Sequence, residues 1–600
     1  MESDRKTPDV YIRDLDNRAT GVVGVATSAP IFIGYTERAI DPNSGKPLHL
    51  RPFRISSLVE FQRYFGAGFD AVGVVRPLAG ASGPADPLGR HDFVAESSDG
   101  GEIASRAFTV AAPAAGSKDG SSAARFALYP AIQLFFHNGG SNCFIISVGD
   151  YRGGRDAVPV AGGEPAAVSG KDLLEGIEAA REAQGGTALV VPDAALLRSA
   201  AAAAPEAVSG YGAVAVAMLD QAAELQDRMA ILDLPGALDP STWDAAGMRR
   251  DAEAFYAAIA PAAGSFSYGC AYAPALQTTF LTSKDLSYVN LKGSPASIAW
   301  MNNILTTEAL QLFPPVYDGS GRPTHSAAFR DVAAHIAAAF PVAAAAPRED
   351  EDSPVRIADG DGPLLVAVGG AGASEIQPGD DARIAVLDAY LLNALPLYGT
   401  VKARLAQALN VVAPSGAIAG IWSRCDRDAG VWKAPANVNV AKVSAPLVAI
   451  SDAEQAEYNT PLNGHAINVI RAFNGRGVLV WGARTLDANS PDYRFISIRR
   501  TLIYVEQSIR LGLQMFVFSS NDAGTWAAVK DAISTFLTEF WNEGGLLGAS
   551  ATEAFSVECG LGSTMTADDV LDRTLRVMMT LQLAHPAEFI ELTFAQSMEN

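Results

Sequence analysis

The chain has 600 residues, of which 49% are hydrophobic and 18% are charged. That composition excludes an intrinsically disordered protein, and the length predicts at least two domains because one hydrophobic core rarely serves so many residues. The formal net charge of −21 argues against a nucleic-acid-binding surface as the main function, so we expect no nucleic acid partner.

The amino-terminal residues and the cysteines indicate neither export nor metal binding. Residues 1–8 are polar and lack the apolar stretch of a secretory signal, and no apolar run reaches the length of a membrane span. We therefore expect cytoplasmic folding and assembly, with no direct membrane insertion. Because the four cysteines are far apart and lack metal-ligand spacing, we expect buried thiols, with no disulfide, metal or cofactor. They are Cys143, Cys270, Cys425 and Cys559.

Residues 1–20 are predicted to be an N-terminal linker arm. Val10, Tyr11 and Ile12 favour a β-strand, and polar residues separate them from Gly21. A frayed terminus is the alternative. If the segment is an arm, these three residues are its candidate pairing residues.

Residues 21–455 are predicted to form an α/β domain. The predicted elements are strands at 22–34, 143–148, 187–193 and 229–235, and helices at 172–182 and around 221–229. Repeated strand–helix–strand units favour a largely parallel sheet that is covered by helices.

Two segments interrupt this pattern, near 70–125 and near 340–380. Both are rich in Ala, Gly, Pro, Asp and Ser, and the second contains the charged run Arg348–Asp352. Neither segment has strong periodicity. We therefore predict surface insertions or loops at both places.

Residues 456–600 are predicted to form a C-terminal α+β domain. A helix is expected at 522–541 because apolar residues recur there at helical spacing, and it ends before Gly544. The apolar positions are Trp526, Val529, Ile533, Phe536, Leu537 and Phe540. Strict alternation from Leu575 to Leu583 predicts a strand with one buried face.

A break at His585–Pro586 precedes a last predicted strand, which would make residues 586–600 a C-terminal arm. Its candidate pairing residues are Phe589, Ile590, Leu592 and Phe594, of which the last three share a face. An ordinary edge strand of the chain's own sheet is the alternative.

Several segments, in one order along most of the chain, carry a family resemblance. They are Pro8–Ile12, Phe53–Gly66, Phe135–Gly140, Val191–Asp193, Asp227–Asp233, Ala413–Gly420, Gly430–Asn437, Asn474–Thr485, Tyr493–Arg500, Trp541–Gly545 and His585–Glu591. Together they resemble the contractile tail sheath proteins of contractile-tailed phages, R-type pyocins and phage-derived extracellular injection systems. Asp9 stands where that family commonly has glycine, and the two insertions match nothing in it.

The resemblance implies a multidomain sheath fold that is α/β and α+β. Its parts would be a subtilisin-like, non-catalytic α/β middle domain with surface insertions, an α+β C-terminal sheath domain, and extended N- and C-terminal arms. It further implies a structural subunit that polymerises helically around an inner tube and contracts, driving the tube through a target envelope. The implied partners are other copies of the chain in stacked six-subunit rings, the inner tube, and baseplate and terminal cap proteins, within a phage tail or tail-like particle. In the family the two arms add to sheets of neighbouring subunits.

A subtilisin-like serine hydrolase is the alternative function, with Ser415 as its nucleophile. A triad would also need a histidine base and an acidic group, and none of the seven histidines lies in a segment typical of that base. For His137, in a glycine turn, we expect a side-chain hydrogen bond to the backbone. No glycine loop with Lys-Ser/Thr is present for nucleotide phosphate. We therefore expect no enzymatic activity.

Seven arginines and only three carboxylates lie between residues 471 and 510. A basic surface facing an acidic tube would give an attachment that is sensitive to salt and can be broken during contraction. Internal pairing or simple solvation of these side chains is the alternative. The candidate tube-facing residues are Arg471, Arg476, Arg484, Arg494, Arg499, Arg500 and Arg510.

Overall fold

The computed structural model describes residues 22–70, 72–78, 92–99, 102–111, 125–152, 166–197, 209–317, 319, 323–342, 355–358, 365–368, 381–459, 464–586 and 588. The chain divides into two compact units. In the described part, a large unit contains residues 28–429 and 433–497. A small unit contains 22–27, 430–432 and residues from 498 onward.

Many of the helices begin at a Ser, Thr or Asp whose side chain accepts a hydrogen bond from the first helical turn, as at Ser57, Ser169, Asp244 and Asp522. The helices of the large unit are α1 (Leu58–Phe65), α2 (Leu128–His137), α3 (Gly170–Ala179), α4 (Ser209–Leu225), α5 (Ala245–Ile259), α6 (Pro295–Leu312), α7 (Ala327–Ala339), α8 (Asp381–Ala394), α9 (Pro396–Leu409), α10 (Ser415–Ala429) and α11 (Asp452–Asn459). They are followed by α12 (Ile496–Leu513), α13 (Ala523–Asn542), α14 (Ala551–Ala554) and α15 (Ala567–Leu571).

The strands are mostly short. The first ten are β1 (Pro30–Thr36), β2 (Phe53–Ile55), β3 (Val74–Pro77), β4 (Asp92–Asp99), β5 (Glu102–Ala111), β6 (Cys143–Asp150), β7 (Ala188–Val190), β8 (Met229–Asp233), β9 (Gly269–Ala273) and β10 (Leu276–Thr278). The others are β11 (Val316–Tyr317), β12 (Pro323–Thr324), β13 (Val355–Ala358), β14 (Leu365–Val368), β15 (Val411–Val412), β16 (Val438–Asn439), β17 (Val443–Pro446), β18 (Ile467–Phe473), β19 (Gly477–Val480), β20 (Phe555–Glu558) and β21 (Met578–Leu581).

A nine-stranded sheet is the centre of the large unit, with strand order β16-β19-β18-β9-β8-β7-β1-β6-β2. The six strands from β18 to β6 pair in parallel, and β2, β19 and β16 are antiparallel additions at the edges. Every residue of β1, β7, β8 and β9 is buried, as expected for parallel strands covered on both faces. The largely parallel sheet predicted from the sequence is confirmed.

Helices cover both faces of this sheet because side chains alternate along each strand. Ile31 and Ile33 of β1 belong to the core formed with α3, α4 and α5. Phe32, between them, meets Phe135 of α2 on the other face, with 5.3 Å between the ring centroids. The helix predicted around 221–229 is the end of α4, which begins earlier, at Ser209.

The segment near 70–125 contains an antiparallel sheet of order β3-β5-β4 where the sequence suggested a loop or insertion. Val75, Phe93, Phe108 and Val110 of this sheet are buried in a second core of the large unit, shared with α6, α7, α8 and α9. Small and polar residues separate these few apolar positions, so the alternation is weak in the sequence. Near 340–380, β13 pairs with β14 antiparallel.

The small unit has its own core, centred on α13. The helix predicted at 522–541 is confirmed, since α13 buries Val529, Ile533, Phe536, Leu537 and Phe540 on one face. Helix α12 and the β20–β21 pair supply further core residues, including Val505 and Val557.

The two compact units divide at 497/498, whereas the sequence analysis placed a domain boundary at 455/456. The difference arises from β18, which pairs in parallel with β9 and so joins the sheet of the large unit. A compact unit and a functional domain can have different limits, so the sequence-based division stays a prediction.

Candidate functional site

The small unit carries a two-stranded antiparallel sheet in which Phe555 of β20 faces Leu581 of β21. Among the described residues no third strand joins this pair. An isolated pair is marginally stable, and an open edge is a template for another strand. The strand predicted from Leu575 to Leu583 is shorter than expected, yet Leu575, Val577, Leu581 and Leu583 do pack, partly buried, against the core of the unit.

The candidate pairing residues of both predicted arms fall outside the described part of the chain. That holds for Val10, Tyr11 and Ile12 at the amino end and for Phe589, Ile590, Leu592 and Phe594 at the carboxy end. Their pairing with a neighbour stays a prediction.

A second surface of the small unit follows the end of α12. Leu511, Met515, Val517 and Phe518 are exposed within one short stretch, and Phe518 is fully exposed. Phe518 also has a φ of 71°, which is unusual for a bulky residue. Exposed apolar side chains close together are typical of interaction surfaces.

Three of the seven candidate arginines are buried inside the chain. Arg484, Arg499 and Arg500 are 4%, 6% and 5% exposed. Arg484 Nη1 donates to the carbonyl oxygen of Asn459, and Arg500 Nη2 donates to that of Thr27. These guanidinium groups are therefore unable to reach a partner from this conformation.

The other four arginines reach the surface to different degrees. Arg476 and Arg510 are exposed, whereas Arg471 and Arg494 are half-buried. Arg471 Nη1 bonds to Asp452 Oδ1 at 2.6 Å, and Arg494 Nε donates to a backbone carbonyl. The candidate basic surface thus reduces mainly to Arg476 and Arg510, which lie in different compact units.

Ser415, the candidate nucleophile, is completely buried at the first turn of α10. Its backbone N–H donates to Asp233 Oδ1 at 2.8 Å, and its Oγ donates to Asp233 Oδ2 at 2.6 Å. The hydroxyl therefore serves to hold the end of β8 against the beginning of α10. A completely buried hydroxyl has no access to substrate, and this one donates to a carboxylate rather than to the histidine base of a serine hydrolase triad.

Asp233 is the last residue of β8, and Asp193 lies three residues after the end of the neighbouring strand β7. Burial raises the pKa of both carboxyl groups. Desolvation raises the pKa of Asp233 to about 7, against the lowering effect of its bonds from Ser415. Desolvation likewise raises the pKa of Asp193 to about 6, although it accepts backbone N–H bonds from Tyr35 and Ala127. Both carboxyl groups connect separate segments of the fold.

The motif Ala413–Gly420 has a packing role that its glycines explain. A Cβ on Gly416 would lie 2.3 Å from the carbonyl oxygen of Ala131, and one on Gly420 would lie 2.4 Å from that of Phe135. Spaced four apart on α10, the two glycines allow α2 to approach closely.

In the glycine turn after α2, Asn138 makes the side-chain bonds to the backbone that we expected of His137. Asn138 Nδ2 donates to the carbonyl oxygen of Leu134, and Oδ1 accepts from the N–H of Ala441. His137 is exposed and lies beside the ring of Phe280.

Within the described ranges, no group of three or more His, Cys, Asp or Glu side chains is placed to hold a metal ion. No single helix there is long and apolar enough to cross a membrane. The pair α8 and α9 passes the same test of length and composition only when taken together, across a bend of 116°.

Residues 488–597 match the family described as the phage tail sheath C-terminal domain. The tail sheath protein of Burkholderia phage BcepMu is 31% identical over 142 residues, 23% of this chain and 30% of that protein. The tail sheath protein of Salmonella phage ViI is 25% identical over 131 residues, 22% of this chain and 21% of that protein. The chain thus matches less than a third of the length of either relative.

Solved structures of contractile assemblies match nearly the whole chain. A chain of the cryo-EM structure of the anti-feeding prophage (AFP) baseplate in contracted state is similar in fold, with a TM-score of 0.51 and 19% sequence identity. The match covers 98% of this chain and 97% of that one. The resemblance found in the sequence is confirmed, and the fold is a mixed α/β multidomain one.

Proposed function

We infer that the chain is a structural subunit of a contractile sheath, because residues 488–597 match the phage tail sheath C-terminal domain family. We propose that it polymerises helically around an inner tube and contracts to drive the tube through a target envelope. The family match carries this proposal, and the fold shared with a chain of a contracted baseplate supports it. The proposed setting is a phage tail or tail-like particle that assembles in the cytoplasm.

A sheath of this kind works through contacts between copies. Head-to-tail contacts whose rotation does not close generate a helical filament, here as stacked rings of six subunits. The extended lattice would be metastable, held by the inner tube, the baseplate and a terminal cap, and would convert once to the compact lattice when released. Many subunits act together, so each needs to contribute only a modest free energy.

The proposed connections between neighbours are the two arms, residues 1–20 and 586–600. Each would add a strand to the C-terminal sheet of another subunit, where backbone hydrogen bonds give affinity with little demand on sequence. The open β20–β21 pair of the small unit is the part of the described structure that supports this proposal. Deleting residues 1–20 should leave a folded chain that makes no extended sheath.

We propose that residues 21–455, between the N-terminal arm and the C-terminal domain, form a subtilisin-like scaffold that is not catalytic. Its parallel sheet covered by helices supports the scaffold role. The burial of Ser415 and its bonds to Asp233 argue against the serine hydrolase alternative. The segments near 70–125 and 340–380 would be insertions into this domain, and the first of them contributes buried residues to the second core of the large unit.

Negative-stain electron microscopy of the purified chain tests the function directly. We expect long tubes or short ridged cylinders. A monodisperse monomer under all conditions, combined with hydrolysis of ester or peptide substrates, would instead favour the hydrolase.

Leu592→Pro tests the C-terminal arm. Proline removes a ladder hydrogen bond and fixes φ, which a paired strand does not tolerate. We expect a folded monomer with an unchanged Tm that fails to polymerise, whereas Glu591→Ala, the matched control on the opposite face, should polymerise normally. A large loss of monomer stability in the proline variant would assign the strand to its own subunit and end the linking role.

A further inference from the structure

One face of α12 is covered by an extended segment of the same unit. Four residues spaced four apart line this face: Arg500, Tyr504, Ser508 and Gly512. The segment 22–27 runs along it in the opposite direction, because Thr27 meets Arg500 whereas the other end of the segment meets Gly512. Residues four apart share a helix face, so the four positions form one continuous track.

Polar contacts hold the segment at two points. Arg500 Nη2 donates to the carbonyl oxygen of Thr27 at 3.1 Å. The N–H of Val25 donates to Ser508 Oγ at 3.1 Å, and that hydroxyl donates in turn to the carbonyl oxygen of Tyr504 at 2.7 Å. Backbone groups of the segment that would otherwise need water are thus paired with the helix.

At Gly24 the fit leaves no space for a side chain. A Cβ on this residue would lie 2.2 Å from the hydroxyl oxygen of Tyr504. The tyrosine ring is itself held, since its centroid lies 6.1 Å from that of Phe536 and 5.5 Å from that of Phe540. The ring therefore has little freedom to move aside.

A second glycine makes the reciprocal contact from the helix. A Cβ on Gly512 would lie 2.7 Å from Val22 Cγ2 and 2.9 Å from Val22 Cα. Val22 is 7% exposed and is part of the core of the small unit. The segment is thus seated by a glycine on each side of the contact.

We propose that this face of α12 is an anchor for the N-terminal arm, in which Gly24, Tyr504, Ser508 and Gly512 are positioning residues. By fixing segment 22–27, it sets the place and direction from which residues 1–21 start. Through the anchor, a force that pulls on the arm is transmitted to α12 and to the core of the small unit. The inference rests on the proposed function only in assigning residues 1–20 to a neighbour; the anchor itself is an intrachain contact.

The anchor has a physical advantage for assembly. A segment of six residues with a glycine at its centre would sample many backbone conformations if it were unsupported. Ordering the segment before assembly removes that entropy cost from the step in which an arm binds a neighbour. A loosened anchor should therefore raise the concentration needed for polymerisation without unfolding the subunit.

The first experiment measures the anchor in the unassembled full-length chain by hydrogen exchange. We expect the Val25 amide to be protected in the wild type and to exchange about tenfold faster in Gly24→Ala, because the segment is pushed off the helix. The double variant Gly24→Ala/Tyr504→Phe lacks the hydroxyl that the new Cβ meets and should regain most of the protection. Gly264→Ala is the matched control, since a Cβ there meets nothing within 4 Å.

The second experiment measures the concentration at which each variant polymerises, by sedimentation and microscopy. We expect Gly24→Ala to need about tenfold more protein, a shift of about 1.4 kcal/mol, and the double variant to approach the wild type. Gly512→Ala should raise the required concentration as Gly24→Ala does, provided that it folds. If it does not fold, the comparison of Gly24→Ala with Gly24→Ala/Tyr504→Phe still tests the anchor.

The outcomes separate the anchor from the sheath function. An unprotected Val25 amide in the wild type, or a Gly24→Ala variant that polymerises like the wild type despite a released segment, would overturn the anchor. Failure of the wild type itself to polymerise under any condition would overturn the proposed function. The hydrogen-exchange experiment would still test the contact between segment 22–27 and α12 in that case.

Discussion

Ser415 and Asp233 are 182 positions apart, yet the Oγ of the serine donates a 2.6 Å hydrogen bond to the carboxylate of the aspartate inside the large unit. A second bond, from the serine N–H, completes a two-point clamp between α10 and β8. The residue that most suggested catalysis is thus part of the scaffold.

Ser415→Ala should lower the free energy of unfolding by about 1–3 kcal/mol, because one oxygen of a buried carboxylate loses its donor. Ser563→Ala, at an exposed serine, is the control and should change stability little. Urea unfolding of both variants provides the measurement. A fluorophosphonate probe should leave the wild type unlabelled, and stoichiometric labelling at Ser415 would contradict the structural role.

Asp233→Asn should change how stability depends on pH. Burial raises the pKa of Asp233 to about 7, so the folded chain favours the protonated carboxyl while the unfolded chain ionises near its ordinary value. The stability that this group contributes is complete below that ordinary value and is lost as pH rises to about 7. Relative to the Asn variant, the wild type should lose up to about 1.4 kcal/mol per pH unit across this window.

The measurement is urea unfolding of both proteins at several values from about pH 4 to about pH 7, since effects of other groups cancel in the difference. Parallel stability curves would show that Asp233 ionises normally in the folded chain. Asp193→Asn should behave in the same direction over a narrower window, because the pKa of Asp193 is raised only to about 6.

Phe536→Asp should destabilise the small unit by several kcal/mol, because it places an unpaired charge in the core at a side chain that is 5% exposed. The same change at Phe518, which is fully exposed, is the matched control and should leave the Tm nearly unchanged. Thermal unfolding followed by circular dichroism distinguishes the two. Equal behaviour of both variants would mean that the buried face of α13 is misassigned.

Arg476→Glu combined with Arg510→Glu should weaken extended assembly, most strongly at low salt, and leave the monomer Tm nearly unchanged because both side chains are exposed. Arg500→Glu should act differently and destabilise the monomer, since it places a carboxylate beside the carbonyl oxygen of Thr27. Co-sedimentation with the inner tube across a salt series is the readout. Attachment that is insensitive to the double reversal would remove the basic surface from the proposal.

Features that depend on neighbours in sequence could be predicted from the sequence. Helix α13 followed from its apolar spacing, and the parallel sheet followed from repeated strand–helix units, because both signals arise from the local periods of 3.6 and 2. The antiparallel sheet of β3, β5 and β4 gave no clear periodic signal in the sequence. Its large apolar residues, such as Phe93 and Phe108, are few and stand among small and polar ones. The family resemblance indicated the C-terminal sheath domain, because a resemblance depends on the order of residue types along the chain and needs no three-dimensional geometry.

Only the tertiary structure decided which polar residues are used internally. The seven candidate arginines are close together in the sequence, but the burial of each depends on what packs against it in the folded chain. Arg500, for example, is covered by segment 22–27, whose Thr27 is 473 positions away. The spacing of Arg500, Tyr504, Ser508 and Gly512 was visible in the sequence, yet nothing local indicated its occupant. Contacts between distant residues are selected by the packing of the whole unit rather than by any local period, which is why the clamp at Ser415 and the anchor on α12 appear only in the folded chain.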